Sequence, residues 1–321
     1  MGEIFVLEYS QDIPEASLYE IENFCALSNS ELIYAENGIA LISGSVSNIS
    51  DSAFVKRIAR VIEIKDRQEA ISGESLPPGK FYVRFLDGSD CHGSSLESYL
   101  GGILGGSGRV SFSSPDFIVR VYHLEKWYVA IEIFSGNSSQ FENRRAPRRP
   151  FFSPISMHPR IARFLVNVSN APKNGTILDP FCGTGGILME AGSTGRHVVG
   201  IDMSLQMTAG AKLNLKYFGI RDFSIITGNF LEVEIPNDID AIVTDLPYGR
   251  NSPMHRQDIL ELYRKSMEKF GKILKRGSRC VIAVSDLQML PGDLPDFMIL
   301  KIIDNRIHKS LTRHYVIMER Q

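Results

Sequence analysis

The chain has 321 residues, of which 43% are hydrophobic and 22% charged. That leaves room for two or three domains at roughly 100–200 residues each and excludes a disordered or fibrous protein. A net charge of −2 excludes a uniformly basic nucleic-acid coat, but the charge is uneven: residues 1–55 hold nine acids and no Lys or Arg, residues 56–136 hold ten of each sign, and residues 137–321 hold 25 bases against 18 acids. The four cysteines (Cys25, Cys91, Cys182, Cys280) lie far apart with no C-x-x-C pair, which argues against a zinc ribbon and a secreted disulfide scaffold; no cluster of metal ligands is visible in the sequence, so no metal is implied. The acidic start MGEIFVLEYS lacks the basic n-region of a signal peptide, Val6 breaks the myristoylation pattern, and no apolar run approaches the ~18 residues of a membrane span. A soluble, cytoplasmic protein is expected.

In chain order, EIFVLEYS reads as a strand and EASLYEIENFCALS spaces its apolar residues as a helix does. Residues 39–42 read as a second strand. The stretch from Ser52 to Ile64 reads as an amphipathic helix leading into a strand. After the turn signal Pro77-Pro78-Gly79, KFYVRFLD reads as a strand and SSLESYLGGIL as a helix weakened by Gly101 and Gly102. FIVRVYHLEKWYVAIEIFS holds two strands around a turn. Residues 135–154, rich in Ser, Asn, Arg and Pro, suit an exposed connection and mark the expected domain boundary. Beyond it β and α alternate: strands at TILDPF, HVVGID, FSIITGNF, AIVTDLPYG and RCVIAVSD, with helices at GGILMEAGSTG, SLQMTAGAKLNLKYFG and DILELYRKSMEKFGKIL. FMILKIID and HYVIMER close the chain as an antiparallel pair. Alternation of this kind predicts an α/β fold with a parallel, doubly wound sheet, whose ligands bind beyond the carboxyl ends of the strands.

Two strand ends carry chemistry. Asp179-Pro180-Phe181-Cys182-Gly183-Thr184-Gly185-Gly186 ends a strand and opens a helix, where glycines admit a ligand close to the backbone. The segment is neither G-x-G-x-x-G nor a G-K-[ST] loop, so dinucleotides and nucleoside triphosphates are poorly supported; a bare βα turn is the plain alternative. Asp202 ends the next strand, where a carboxylate accepts ribose hydroxyls or simply caps the following helix. Asn229 ends the third strand, where a turn-forming role is the plain reading. At the fourth strand end stands Asp245-Leu246-Pro247-Tyr248-Gly249. An acid, a proline and an aromatic at such a strand end resemble the motif of amine-directed methyltransferases, whose target, an exocyclic base amine, is a poor nucleophile because its lone pair is delocalised. The Asp245 carboxylate and a loop carbonyl can hold both amine hydrogens and aim that lone pair, and Tyr248 offers a ring on which an extruded base stacks. A plain Pro-Gly turn would share the string.

The D-x-F-x-G-x-G loop resembles the first motif of class I S-adenosylmethionine (SAM) methyltransferases, and D-L-P-Y resembles the [DNS]-P-P-[YFW] motif of amine-directed ones, with Leu246 where a proline is usual. With RRAPRRPFFSPISMHPRIARFLVN, DPFCGTGGILMEAG, TDLPYGR and RIHKSLTR, nearly the whole chain resembles the archaeal tRNA guanosine-10 N2-methyltransferases. The resemblance implies a ferredoxin-like unit at 1–55, a THUMP RNA-binding domain at 56–136, a basic linker at 137–159 and a Rossmann-like methyltransferase domain at 160–321. It implies transfer of one or two methyls from SAM to guanine N2 in tRNA, with Asp245, Pro247 and Tyr248 catalytic. The residues implied to hold SAM are Asp179, Pro180, Phe181, Cys182, Gly183, Thr184, Gly185, Gly186, Asp202, Met203, Asn229, Phe230 and Met157. His158 is a lesser general-base candidate. Arg144, Arg145, Arg148 and Arg149, four arginines within six residues, suit phosphate contact, against the plain reading of a solvated linker. His308, Lys309, Arg313 and His314 stand between the last two strands, as substrate contacts or as a polar hairpin. A small zinc-ribbon activator is a partner that relatives resemble needing. The rivals are an adenine-N6 or glutamine methyltransferase, which use similar loops, and an RNA-binding scaffold with an inactive site.

Overall fold

The computed structural model describes residues 2–86, 94–137, 139–153, 156–248, 256–308 and 311–321. Cys91, Gly249 and Lys309 lie outside them. The chain divides into two compact units, Met1–Ser138 and Ser139–Gln321. No described helix is long and apolar enough to cross a membrane.

In the first unit, β1 (Ile4–Tyr9), α1 (Pro14–Ser28), β2 (Glu31–Glu36), β3 (Ile39–Ser43), β4 (Val55–Lys65), β5 (Phe81–Leu86), α2 (Ser94–Arg109), β6 (Phe117–His123) and β7 (Trp127–Ser135) follow one another. Its seven strands form one sheet in the order β2-β3-β1-β4-β7-β6-β5, with β5 and β6 parallel. Three features depart from expectation. The stretch read as a helix is β4, whose β-branched residues pair with β1 on one side and β7 on the other. Strand β2 was not foreseen, although Asn37-Gly38, both at positive φ (50° and 81°), is the turn that a two-residue hairpin favours. The expected boundary at 55/56 falls on the first residue of β4, so residues 1–55 and 56–136 share one continuous sheet. Buried Glu8 on β1 joins them: it accepts from Arg120 (2.6 Å), Tyr122 (2.9 Å) and Arg57 (2.9 Å).

The second unit begins with α3 (Ser139–Asn143), a short 3-10 turn (Ala146–Arg148) and α4 (Pro159–Val168), then continues through β8 (Thr176–Asp179), α5 (Gly186–Gly192), β9 (His197–Asp202), α6 (Leu205–Tyr217), β10 (Phe223–Thr227), β11 (Ala241–Asp245), α7 (Arg256–Ile273), β12 (Arg279–Val284), β13 (Phe297–His308) and β14 (Leu311–Arg320). The expected connection is folded onto this unit: Phe141 and Arg149 are buried, and the Phe151 backbone exchanges hydrogen bonds with the Asn214 side chain at 3.0 and 2.7 Å. Helix α4 opens with His158 as cap and Pro159 in the first turn, a good helix start.

The sheet order is β10-β9-β8-β11-β12-β14-β13. Strands β8 to β12 run parallel, while β14 is antiparallel to β12 and to β13, as the sequence predicts. Chain order reverses between β8 and β11, which puts the ligand crevice at the carboxyl ends of β8, β9 and β11. Beneath it, Leu178, Val199, Ile242 and Cys280 of the strands pack with Tyr263, Met267 and Phe270 of α7 in one buried core. That core fixes the strand ends that carry the acids.

Candidate active site

Three carboxylates stand at the three strand ends: Asp179 closes β8, Asp202 closes β9 and Asp245 closes β11. Asp179 is 2% exposed. Its Oδ1 accepts from the Phe181 N–H (3.2 Å) and from the Thr244 hydroxyl (2.6 Å). No Lys or Arg pairs with it among the described residues. Burial therefore pushes it up to about 7, the hydrogen bonds of Thr244 and Phe181 opposing and the nearby charges of Asp245 and Asp202 adding.

The glycine loop that follows is shaped for close approach. Gly183 and Gly185 take φ of +48° and +80°, a region costly for side chains with a Cβ. A Cβ built on Gly183 would meet nothing within 4 Å, so the loop leaves open space there. Asp202 braces the loop: Oδ2 accepts from the Gly183 N–H (3.0 Å) and Oδ1 from the Ser204 N–H (2.8 Å). A carboxylate has about four lone-pair sites, so Asp202 keeps acceptor capacity beyond these two bonds. Cys182 is buried and its thiol is pushed well above the ordinary value by burial, the charges of Asp179 and Asp202 adding; its backbone N–H donates to the Ile201 carbonyl (2.9 Å). Thr184 is buried, its carbonyl accepting from Asn214 (3.0 Å). Pro180 is buried, while Phe181 and Gly186 are half-buried.

Other predicted cofactor residues divide. Met157 is buried at the entry to α4, and Met203 is 74% exposed directly after Asp202. Asn229 spends its side chain on a turn, accepting from the Leu231 N–H (3.1 Å) and donating to Glu232 (2.8 Å). Phe230 is a core residue: its ring packs edge-on against Phe181 (5.8 Å between centroids) and at a tilt against Phe270 (5.4 Å), with Lys269 above it.

At the fourth strand end, Asp245 is engaged on both oxygens. Oδ2 lies 2.9 Å from an Arg313 nitrogen, and Oδ1 accepts from the Tyr248 hydroxyl. Arg313 also lies over the Tyr248 ring, 5.2 Å from its centroid. Burial raises Asp245 to about 6, and Arg313 opposes the rise. Leu246, in place of the usual proline, has a structural reason: its N–H donates to the Ala283 carbonyl (3.0 Å) and its side chain is fully buried in the core. A proline would lose that hydrogen bond. The Pro247 carbonyl accepts from the Tyr263 hydroxyl (3.1 Å), which ties the loop to α7. Sequence reasoning did not single out Thr244 or Tyr263; Thr244 stands within TDLPYGR, whereas nothing local marks Tyr263.

The arginine run is split by its surroundings. Arg144 makes a two-pronged pair with buried Glu190 (2.6 and 2.9 Å), which Arg163 also reaches (3.0 Å). Arg149 is buried against Gly186, lowered to about 10 chiefly by burial. Arg145 is half-exposed in a pair with Glu142 (3.0 Å), and Arg148 is exposed. His158 accepts the Arg160 N–H on Nδ1 (3.2 Å) as a helix cap; burial, with the Arg145 charge adding, lowers its pKa. His314 pairs with Asp304 (2.7 Å), and His308 is exposed.

Residues 146–314 match the RMKL-like methyltransferase domain family (UPF0020). The chain is 34% identical to the tRNA (guanine(10)-N2)-dimethyltransferase of Pyrococcus abyssi over 98% of its own length and 99% of that protein. It is 33% identical to the enzyme of the same name from Methanothermobacter thermautotrophicus over 84% and 83% of the two chains. The crystal structure of TrmN from Thermus thermophilus superposes with a TM-score of 0.58 at 18% identity, covering 99% of this chain and 100% of that one, and shares the fold. With a doubly wound sheet, a glycine loop and an Asp-Leu-Pro-Tyr strand end in place, the chain belongs to the tRNA (guanine(10)-N2)-dimethyltransferase family.

Proposed function

We propose that this protein transfers methyl groups from SAM to the exocyclic N2 of guanine in tRNA, at position 10, twice in succession. The observation that carries the reading is Asp245 at the end of β11, in the crevice at the reversal of chain order and beside Tyr248. SAM fits the residues present: open space lies over Gly183, Asp202 retains acceptor capacity for ribose hydroxyls, and Asp179 is a buried carboxyl with no cation partner among the described residues, suited to an ammonium group. When bound, SAM supplies an electrophilic methyl on sulfur. Asp179, the 183–186 loop and Asp202, with Met157 and Met203, would hold the cofactor. The target base leaves its stack and lies on Tyr248. The Asp245 carboxylate accepts hydrogen bonds from N2 and orients its lone pair; the Leu246 carbonyl is the loop's second acceptor, since that of Pro247 is held by Tyr263. A carboxylate raised to about 6 is also a competent acceptor for the proton that the amine sheds.

Residues 1–136 and the exposed pair Arg145 and Arg148 contact tRNA, and the reaction takes place in the cytoplasm. Asp245→Asn should lower kcat by on the order of 10²-fold or more while SAM affinity stays within about twofold. Unchanged transfer by this variant would remove Asp245 from the chemistry. Activity of the purified chain alone would show that no zinc-ribbon activator is required.

A further inference from the structure

Arg313 lies on both surfaces that the reading above gives to the base. It reaches them through strand direction. Because β14 runs antiparallel to β12, its first residues lie at the carboxyl ends of the parallel strands. Tyr315 and Asp245 face the same residue of β12, Ala283, and Arg313 precedes Tyr315 by two, projecting over the crevice. Its side chain is 10% exposed, with one nitrogen 2.9 Å from Asp245 Oδ2 and its carbon 5.2 Å above the Tyr248 ring.

We propose that Arg313 reads the O6 edge of the target guanine and so makes guanine, not adenine, the base this site accepts. The inference rests on the reading that Asp245 holds N2. Guanine presents N2–H and N1–H donors beside the O6 acceptor, with N7 next to it. A carboxylate suits the donors, and a guanidinium beside that carboxylate suits O6 and N7, the pairing by which Arg most often recognises guanine. Adenine carries an amine where guanine has O6, which would set donor against donor. On base entry Arg313 yields the ring face of Tyr248 and turns the N–H groups not engaged by Asp245 to O6. A bland alternative is that Arg313 only neutralises Asp245; any cation would serve that role, and base edges would be irrelevant to it.

The test compares kcat/KM for tRNA transcripts carrying guanine or 6-thioguanine at the methylated position, since sulfur keeps N1–H and N2 but is a poor acceptor. Wild type is expected to lose on the order of tenfold on the thio substitution. Arg313→Met should lose a similar factor on guanine and show no further loss on 6-thioguanine. Arg313→Lys keeps a cation beside Asp245 but lacks the planar fork; it should keep the wild-type pH profile and lose most of the discrimination. SAM affinity should be unchanged in both variants, which separates the effect from misfolding. If either variant slows both substrates equally and keeps the wild-type ratio, Arg313 does not read O6. A wild-type protein that does not methylate guanine N2 at all would instead overturn the underlying reading.

Discussion

Asp179→Asn should stabilise the second unit at alkaline pH while it abolishes cofactor binding. The Asp179 carboxyl is buried with no cation partner among the described residues and is raised from its ordinary 3.8 to about 7. A carboxyl raised in the folded state prefers to stay protonated there. Below about pH 4 the folded and unfolded chains both carry the proton, and the group costs nothing. Between about pH 4 and 7 the unfolded chain releases its proton first, so stability falls as pH rises; above 7 the deficit is constant. Three units at ~1.4 kcal/mol each set that deficit at roughly 4 kcal/mol as an upper bound. Asn at this position still accepts from the Phe181 N–H and the Thr244 hydroxyl, so the two hydrogen bonds on Oδ1 survive. Thermal unfolding by calorimetry at pH 4.5 and pH 8 is the assay. The variant should gain several degrees at pH 8, at roughly 2–4 °C per kcal/mol for a unit of this size, and much less at pH 4.5. SAM binding should be lost at both. An equal shift at the two pH values, or a loss confined to pH 8, would refute the argument that Asp179 is held near neutral charge by burial.

Three further outcomes follow from the same geometry. Arg144→Ala, which strips one partner from buried Glu190, should cost about 3 kcal/mol in chemical denaturation; Arg145→Ala and Arg148→Ala should each cost under about 0.5 kcal/mol yet lower the salt slope of tRNA binding by about one. Gly200→Ala would set a methyl 2.5 Å from a Leu188 carbon and 2.7 Å from an Ile225 carbon, for an expected loss of about 1–3 kcal/mol by urea titration. On the role proposed for Asp245, its carboxylate must be ionised for methyl transfer, so kcat/KM should rise with pH through about 6 and level above it; Arg313→Met, by removing the cation that favours ionisation, should move the rise to higher pH.

Much of the second unit was legible because parallel strands with helical crossovers leave strong marks: short β-branched runs, three of which, β8, β9 and β11, end on an aspartate. The glycine loop and the Asp-Leu-Pro-Tyr string could be located for that reason, and Asp179, Asp202 and Asp245 stand at adjoining strand ends. The first unit was harder. VKRIARVIEIK has basic and acidic residues spaced closely enough to imitate an amphipathic helix, and only its two-sided pairing with β1 and β7 makes it a strand. Strand β2 was missed although Asn37-Gly38 announced it. The arginine run shows where composition stops informing. Four neighbouring arginines look alike in sequence, yet Glu190 and the surface of α5 take Arg144 and Arg149 inward while Arg145 and Arg148 face solvent. Long-range contacts decided that, as they decided that Arg313, 68 positions beyond Asp245, lies against it.

Nucleoside analysis of tRNA after incubation with this protein and labelled SAM tests the central claim most directly. It reports the base, the atom and the number of methyls together. The label is expected in N2,N2-dimethylguanosine at position 10, passing through the monomethyl form. Label in N6-methyladenosine, or in DNA or protein with none in tRNA, would contradict the assignment of Asp245, Tyr248 and Arg313 to a guanine.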